Sequence, residues 1–206
     1  MNITSMFLEL MEKGGPIMWI IFMAADVAIT LLIWQATKTF LLNRQAKKDY
    51  LLLVGNNQFI PEDKNNSPIA MIMDLIDWKQ VTNQDELAKQ VNISFSEIAP
   101  KLEGSLPTIA TIGTLLPMLG LLGTVTGMIN VFEVVAIHGS GKPDEMAFGI
   151  SQALLTTAGG LIFAIPVIFL HHLLTRKVNN LLSVTSRAMQ IVIHRDDMNI
   201  AEGISK

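Results

Sequence analysis

Two long stretches of the chain contain no formally charged side chain. Residues 104–132 run for 29 positions and residues 146–175 for 30 positions without Asp, Glu, Lys or Arg. A third apolar stretch, residues 14–37, carries Asp26 as its only formal charge. A helix needs about 20 mostly apolar residues to cross the ~30 Å hydrocarbon core of a bilayer. The pattern therefore predicts an all-α membrane protein with three transmembrane helices.

The polar stretches beside the last two spans keep a helical period. Before the second span, Thr82 and Asp85 have nearly the spacing of a capping box, which marks a helix start. We expect span two to begin as this helix, adjusted at Pro100 and Pro107. Spans two and three are thus predicted to extend into a helical bundle outside the membrane. The apolar positions of the first extension are Leu87, Val91, Phe95, Ile98 and Leu102.

Positive charges are distributed unevenly between the two sides of the predicted spans. Thirteen Lys and Arg lie at residues 38–103 or after residue 175, against Lys13 and Lys142 elsewhere. Because segments rich in Lys and Arg stay cytoplasmic, we expect the N-terminus outside and the C-terminus in the cytoplasm. The predicted segments are an outer amphipathic segment (1–15), transmembrane helices (16–38, 104–137 and 145–175), a cytoplasmic helical region (39–103), an outer turn (138–144) and a cytoplasmic helical tail (176–206).

Segment 1–15 repeats apolar residues at helical spacing and is predicted to lie flat on the outer membrane surface. A frayed terminus is the alternative. Gly14, Gly15 and Pro16 would then turn the chain into the membrane.

Composition narrows the chemistry that the chain can perform. Half of the 206 residues are hydrophobic, 16% are charged, and the net charge is −3. The chain has no cysteine and four scattered His, so thiolate chemistry is excluded and a metal site is not expected. We find no catalytic motif and no basic stripe. We therefore predict no enzyme activity, no cofactor and no nucleic-acid partner.

Hydroxyl side chains are frequent at membrane depth in spans two and three. Each one can bond to a carbonyl of its own helix, but together they indicate a polar seam. The amide of Gln152 is costly to expose to lipid, so it should face a bundle interior or a cavity, with Thr156 one turn on. The hydroxyls are Thr108, Thr111, Thr114, Thr124, Thr126, Ser151, Thr156 and Thr157.

Glycines in the same spans predict close packing between helices. In span two they recur every seven positions and include a small-xxx-small element, which lets another helix approach closely. Ordinary helix packing is their best explanation. The glycines assigned to packing are Gly113, Gly120, Gly123, Gly127, Gly159 and Gly160.

Spans two and three lack a carboxylate near their centres. Glu133 lies about 30 Å along the helix from Gly113, hence at the outer boundary. A proton carrier should therefore come from a partner. Asp26 in span one has three open explanations: a structural hydrogen bond, placement at the outer interface, or functional titration. Glu133 and Asp26 are the candidate accessory titrating groups, with a solvated position as the alternative for Glu133.

The run LPTIATIGTLLPMLGLLGTVTGMINVF, followed by a short turn and MAFGISQALLTTAGGLIFAIPV, closely resembles the ExbB/TolQ/MotA proton-channel family. The resemblance covers spans two and three almost throughout, and the three-span layout is similar to that of ExbB and TolQ. By motif position, Thr124 and Thr157 look like the pore threonines of the family. Gln152 stands where ExbB and TolQ proteins often carry Glu.

The resemblance implies a homopentamer in the bacterial inner membrane, with its N-terminus periplasmic and spans two and three lining a pore. A dimer of a single-span ExbD-like partner would sit in the pore and carry the proton on a membrane Asp. Proton flow would then drive a TonB-like periplasmic protein in the uptake of nutrients or iron across the outer membrane.

Other functions stay open on the sequence alone. A TolQ-like motor for envelope maintenance is the alternative within the family, and a flagellar stator is less favoured because such subunits usually carry four spans. A non-conducting helical scaffold would tolerate Thr124→Val and Thr157→Val, whereas a channel wall would lose function with its assembly intact. A secondary transporter predicts internal inverted repeats, which are not found.

Overall fold

The computed structural model describes residues 3–55, 67–78, 81, 83–139 and 142–194, with side chains from Met11 onward. This part of the chain is helical and contains no strand. Its helices are α1 (Ile3–Gly55), α2 (Pro68–Leu75), α3 (Gln84–Glu103), α4 (Leu106–His138) and α5 (Pro143–His194). Three helical segments are long and apolar enough to cross a membrane: Met11–Gly55, Gln84–His138 and Pro143–His194. The prediction of an all-α membrane protein with three spans is confirmed.

Helix α1 is interrupted at Gly15, where φ is 68°. Glycine adopts this left-handed conformation without a steric penalty. Pro16 follows, and proline suits the first turn of a new helix because its missing N–H would have no partner there. The side chains of residues 3–10, on which the amphipathic prediction depends, lie outside the described part. After the break α1 runs on to Gly55, because no Gly or Pro intervenes to end it.

Helix α3 begins one residue later than its predicted cap. Asn83 is the N-cap, and its side chain accepts a hydrogen bond from the backbone N–H of Glu86 at 2.8 Å. The predicted cap, Thr82, lies outside the described residues. The apolar period of α3 is found on its buried face: Leu87, Val91, Ile98 and Leu102 are each at most 9% exposed.

The long helical segment that contains span two is interrupted at Gly104, where φ is 51°. Buried Gln35 of α1 seals this break, because its Nε2 donates to the carbonyls of Leu102 (2.9 Å) and Glu103 (3.1 Å). Carbonyls at a helix C-terminus lack partners within the helix, so these bonds satisfy groups that would otherwise be orphaned. A Cβ at Gly104 would lie 2.6 Å from Gln35 Oε1, so the Gln35 amide that holds the two carbonyls would have to shift.

The chain divides into two compact units. The first comprises Met1–Ile33 and Ser105–His172, and the second comprises Trp34–Gly104 and Leu173–Lys206. In the second unit, α2 buries Ile69 and Ile72 in a core shared with α3 and the C-terminal part of α5. The first unit consists of the N-terminal part of α1, α4 and the N-terminal part of α5.

Large apolar side chains of the first unit are exposed on its outer faces. Met118 on α4 is 64% exposed and Ile162 on α5 is 66% exposed. Between the helices, by contrast, small residues and hydroxyls are buried. This distribution is opposite to that of a water-soluble domain and suits a unit surrounded by lipid or by other membrane helices.

Candidate functional site

Helices α4 and α5 pack so closely that an added Cβ would force them apart at several positions. A Cβ at Gly120 would lie 3.1 Å from the carbonyl oxygen of Thr156, and one at Gly160 would lie 2.7 Å from that of Leu116. Both neighbours are backbone atoms, which cannot move aside as a side chain can. Gly127 faces Ala153 in the same way, with a Cβ 3.0 Å from the Ala153 Cα. We call this line of contact the α4–α5 seam.

The other predicted packing glycines also lie at helix contacts. A Cβ at Gly113 would meet Ile168 Cγ1 at 3.0 Å, and one at Gly123 would collide with the Thr156 side chain. Gly159 lies on a different side of α5, where its Cβ would meet the sulfur of Met18 on α1 at 2.9 Å. Glycines of α5 therefore face both neighbouring helices of the first unit.

Two threonine hydroxyls meet in the middle of the seam. The hydroxyls of Thr124 on α4 and Thr157 on α5 are in direct hydrogen-bond contact. Thr157 Oγ1 also donates to the carbonyl of Gly120 at 3.0 Å, and Thr124 Oγ1 lies 3.2 Å from the same oxygen. The close approach at Gly120 is what brings these three polar groups together. We call them the threonine triad.

The number of hydrogens in the triad limits what it can offer a neighbour. Each hydroxyl carries one hydrogen and has two acceptor positions. The contact between the hydroxyls needs one hydrogen, and the bond to the Gly120 carbonyl takes the other. One hydroxyl oxygen therefore keeps its lone pairs, so the resting triad accepts a hydrogen bond from a donor such as water or a protonated carboxyl group.

An ionised carboxylate only accepts hydrogen bonds, so it would need a hydrogen-bond donor from the triad. Rotation of the Thr157 hydroxyl supplies a donor and costs only its bond to the Gly120 carbonyl, which remains an acceptor in the helical ladder of α4. A net hydrogen bond contributes about 1 kcal/mol, so this rotation is inexpensive. The triad can thus accommodate both protonation states of a titrating carboxyl group.

Most of the remaining threonines bond within their own helices. Thr111 donates to the carbonyl of Pro107, Thr114 to that of Thr111, and Thr126 to those of Leu122 and Gly123. Such local bonds satisfy a hydroxyl without any partner outside the helix. Thr124 and Thr157 differ from these three threonines because their hydroxyls form hydrogen bonds across the seam.

Thr156 and Gln152 do not join the triad. Thr156 is 1% exposed and donates to the carbonyls of Gln152 and Ala153 on its own helix. The half-buried side chain of Gln152 lies instead against the break in α1, where a Cβ on Gly15 would collide with its Nε2. The sequence places Gln152 and Thr156 one turn apart, but only Thr156 is enclosed by the seam.

Gln152 also borders a polar cleft at one end of the seam. The cleft has a volume of about 420 Å³ and is lined by Asn130, Val134, Asp144, Glu145, Phe148, Gly149 and Gln152. One lining residue, Glu145, forms an ion pair with Lys142 at 2.7 Å. Exposed Glu133 is not among the lining residues. In the sequence, the signal for this cleft is the acidic pair that follows Pro143.

Asp26 lies on the exposed face of α1, beside Met23 and Val27, which are also exposed. No described residue forms an ion pair or a hydrogen bond with its carboxyl group. Placement at the outer interface and functional titration therefore stay predictions for Asp26. No group of three or more His, Asp or Glu in the described residues is placed to hold a metal ion.

Comparison with known proteins identifies relatives of the seam helices. Residues 63–187, more than half of the chain, match the profile of the MotA/TolQ/ExbB proton channel family. The Tol-Pal system protein TolQ of Pseudomonas aeruginosa is 33% identical over 112 residues, which cover 53% of this chain and 48% of that protein. The biopolymer transport protein exbB1 of Vibrio cholerae is 42% identical over 69 residues (33% of this chain and 30% of that protein).

The biopolymer transport protein ExbB of Aquifex aeolicus is 39% identical over 85 residues, covering 41% of this chain and 57% of that protein. The aligned part of the chain thus spans little more than half of these relatives at most. The profile match nevertheless includes α3, α4 and most of α5, and with them all three groups of the triad. With three membrane-length helices and this match, the chain belongs to the MotA/TolQ/ExbB proton channel family.

Proposed function

We propose that this chain is the pore-wall subunit of an inner-membrane motor of ExbB type, driven by protons. Five copies would surround a pore lined by α4 and α5. Together with an ExbD-like partner, the ring would convert the proton-motive force into work on a TonB-like periplasmic protein, in the service of outer-membrane nutrient or iron uptake.

The observation that carries this proposal is the threonine triad. Thr124 and Thr157 bond across the seam and can present either an acceptor or a donor to a carboxyl group. The chain has no carboxylate in the charge-free stretches of α4 and α5, so the titrating group would belong to the partner. Such a wall would form a hydrogen bond with the protonated carboxyl group and, after rotation of a hydroxyl, with the ionised one. The partner's carboxyl group could therefore change its protonation state at the wall.

The membrane orientation in this proposal follows the positive charges. Lys and Arg are concentrated in 38–103 and after residue 175, so both stretches would be cytoplasmic. The N-terminus and the polar cleft at Asp144 and Glu145 would then face the periplasm. Protons would enter at that end and cross toward the cytoplasm, each releasing about 2.3 kcal/mol per 100 mV.

A TolQ-like motor for envelope maintenance is the second candidate. It is favoured by the length of the match to the Pseudomonas aeruginosa TolQ, which extends over 112 residues. The match to the Vibrio cholerae exbB1 is shorter, at 69 residues, but higher in identity. The two motors would use the same triad and differ in the periplasmic protein that receives the work.

The native mass of the purified complex tests the assembly. The chain would be expressed together with its genomic neighbours, extracted in detergent and analysed by native mass spectrometry. We expect five copies of the 22.7 kDa chain, about 114 kDa, with two copies of a small single-span protein that bears a membrane Asp. A stable monomer or dimer without such a partner would contradict the pore and favour a scaffold.

Complementation distinguishes the two motors. A strain that lacks its own ExbB and TolQ would receive this chain and its partner. An ExbB-type motor should restore energy-dependent uptake of an iron chelate, whereas a TolQ-type motor should restore resistance to detergents. Restoration of the second activity alone would overturn the assignment to nutrient uptake.

A further inference from the structure

The α4–α5 seam ends at a histidine that the threonine triad does not involve. Following α5 from Thr157, the seam passes Gly160 and then the contact of Val167 and Ile168 with Gly113. It reaches His171, whose ring forms a hydrogen bond with the backbone of Leu106 in the first turn of α4. His171 therefore marks the end of the seam opposite to the polar cleft.

His171 is aligned with the triad along α5. Fourteen residues separate it from Thr157, which corresponds to about 21 Å and to nearly four turns, so both lie within about 40° of one helix face. No titratable side chain occurs among the intervening residues 158–170, nor on α4 between Leu106 and Phe132. His171 is thus the titratable residue of the seam that lies nearest the triad toward this end.

His171 lies beside a second imidazole. It is half-buried, and its ring meets that of exposed His172 edge to face, with centroids 5.4 Å apart at 65°. The first turn of α4 contributes no acidic side chain. The nearest charged residues along the sequence are Glu103, before α4, and Arg176 and Lys177, farther along α5. His172 is therefore the titratable neighbour of His171 on α5.

We propose that His171 is the proton-accepting residue at the cytoplasmic end of the path that α4 and α5 wall. This inference rests on the proposed function and adds to it a titrating residue of this chain. The imidazole is the side chain whose ordinary pKa allows it to gain and lose a proton near neutral pH.

Two transfers describe the step. A hydronium ion that arrives along the pore that α4 and α5 would line gives its proton to neutral His171, which leaves water and an imidazolium. The imidazolium then gives the proton to a water molecule at the cytoplasmic surface, beside His172, and returns to the neutral form. Proton and charge balance in both transfers, and no co-reactant other than water is needed.

Proton flux through the reconstituted complex tests the proposal. The complex of this chain with its single-span partner would be placed in liposomes, and flux would be measured while the pH at the C-terminal end of α5 is varied between about 5 and 8. The variant is His171→Asn, which retains an N–H donor near Leu106. The matched control is His172→Asn, since it changes the neighbouring ring but not the seam.

We expect His171→Asn to lower the flux by about 10²-fold, the low end of the effect of a positioned proton-transfer group. The dependence of flux on cytoplasmic-side pH should also disappear. His172→Asn should retain that dependence. Native mass should be the same for both variants and the wild type.

Unchanged flux and pH dependence in His171→Asn would overturn the role of His171. If Thr157→Val blocks flux in the same assay, the proposed pore-wall function still holds. Absence of flux in the wild-type complex would overturn both. If His171→Asn does not assemble, NMR of the ¹⁵N-labelled imidazoles in the wild-type complex decides. A His171 ring that does not titrate between about pH 5 and 8 would contradict the proposal.

Discussion

Replacing Gly160 by alanine tests whether the close contact between α4 and α5 holds the threonine triad together. The added Cβ would lie 2.7 Å from the carbonyl oxygen of Leu116, whereas ordinary contact begins near 3.4 Å. The carbonyl oxygen is part of the α4 backbone and the new Cβ is fixed to the α5 backbone. The helices must therefore separate locally by about 0.7 Å. The bond from Thr157 to the Gly120 carbonyl, now 3.0 Å, would lengthen beyond hydrogen-bond range.

The expected loss of stability follows from two opposing contributions. Overpacking of a close contact costs about 1–3 kcal/mol. Alanine favours a helix over glycine by about 1 kcal/mol, which offsets part of that cost. We therefore expect Gly160→Ala to destabilise the complex by about 1 kcal/mol, and at most about 2 kcal/mol. Because the triad is disrupted as well, proton flux should fall even at temperatures where the complex remains folded.

Thermal unfolding in lipid nanodiscs, together with flux in liposomes, measures both effects. The matched control is Gly55→Ala, since a Cβ there would meet no described atom within 4 Å. The control should unfold at the same temperature as the wild type or slightly higher. A Gly160→Ala complex with wild-type stability and flux would refute the link between close packing and the triad.

Three further substitutions test other parts of the molecule. Gly104→Ala should destabilise the complex by about 1–3 kcal/mol in thermal unfolding, because Gly104 has a positive φ and a Cβ there would displace the Gln35 amide. An unchanged unfolding temperature would contradict this close fit. For Asp26→Asn we expect unchanged energy-dependent uptake, since no described residue bonds to the carboxyl group; abolished uptake at normal protein levels would make Asp26 functional. Gln152→Glu should preserve the native mass of the complex, and loss of the assembly would instead show that the contact with Gly15 is essential.

The fold could be predicted from the sequence wherever a long apolar or periodic pattern exists. The three membrane spans and the buried face of α3 depend on hydrophobic period alone, and the structure has both. Helix boundaries depend on single residues. The start of α3 shifted to Asn83 because either of two adjacent polar residues could cap the helix. The interruption at Gly104 depends on φ, which glycine permits but the sequence does not require.

The site could be predicted only in part. The resemblance pointed to Thr124 and Thr157 together, but their contact depends on the closeness of the helices at Gly120. Without that resemblance, helical period and composition do not separate them from Thr111, Thr114 or Thr126, since every threonine on a helix has a carbonyl within reach. The sequence does not distinguish His171 from its neighbour His172, because the hydrogen bond of His171 with Leu106 depends on where α4 begins.

Proton flux through the complex of Thr157→Val tests the channel wall most directly. Valine keeps the shape of threonine and removes the hydroxyl, so the assembly should lose only about 1 kcal/mol and remain intact by native mass. We expect flux to be abolished in Thr157→Val and largely retained in Thr157→Ser, which keeps the hydroxyl. Wild-type flux in an intact Thr157→Val complex would contradict the role of the threonine triad.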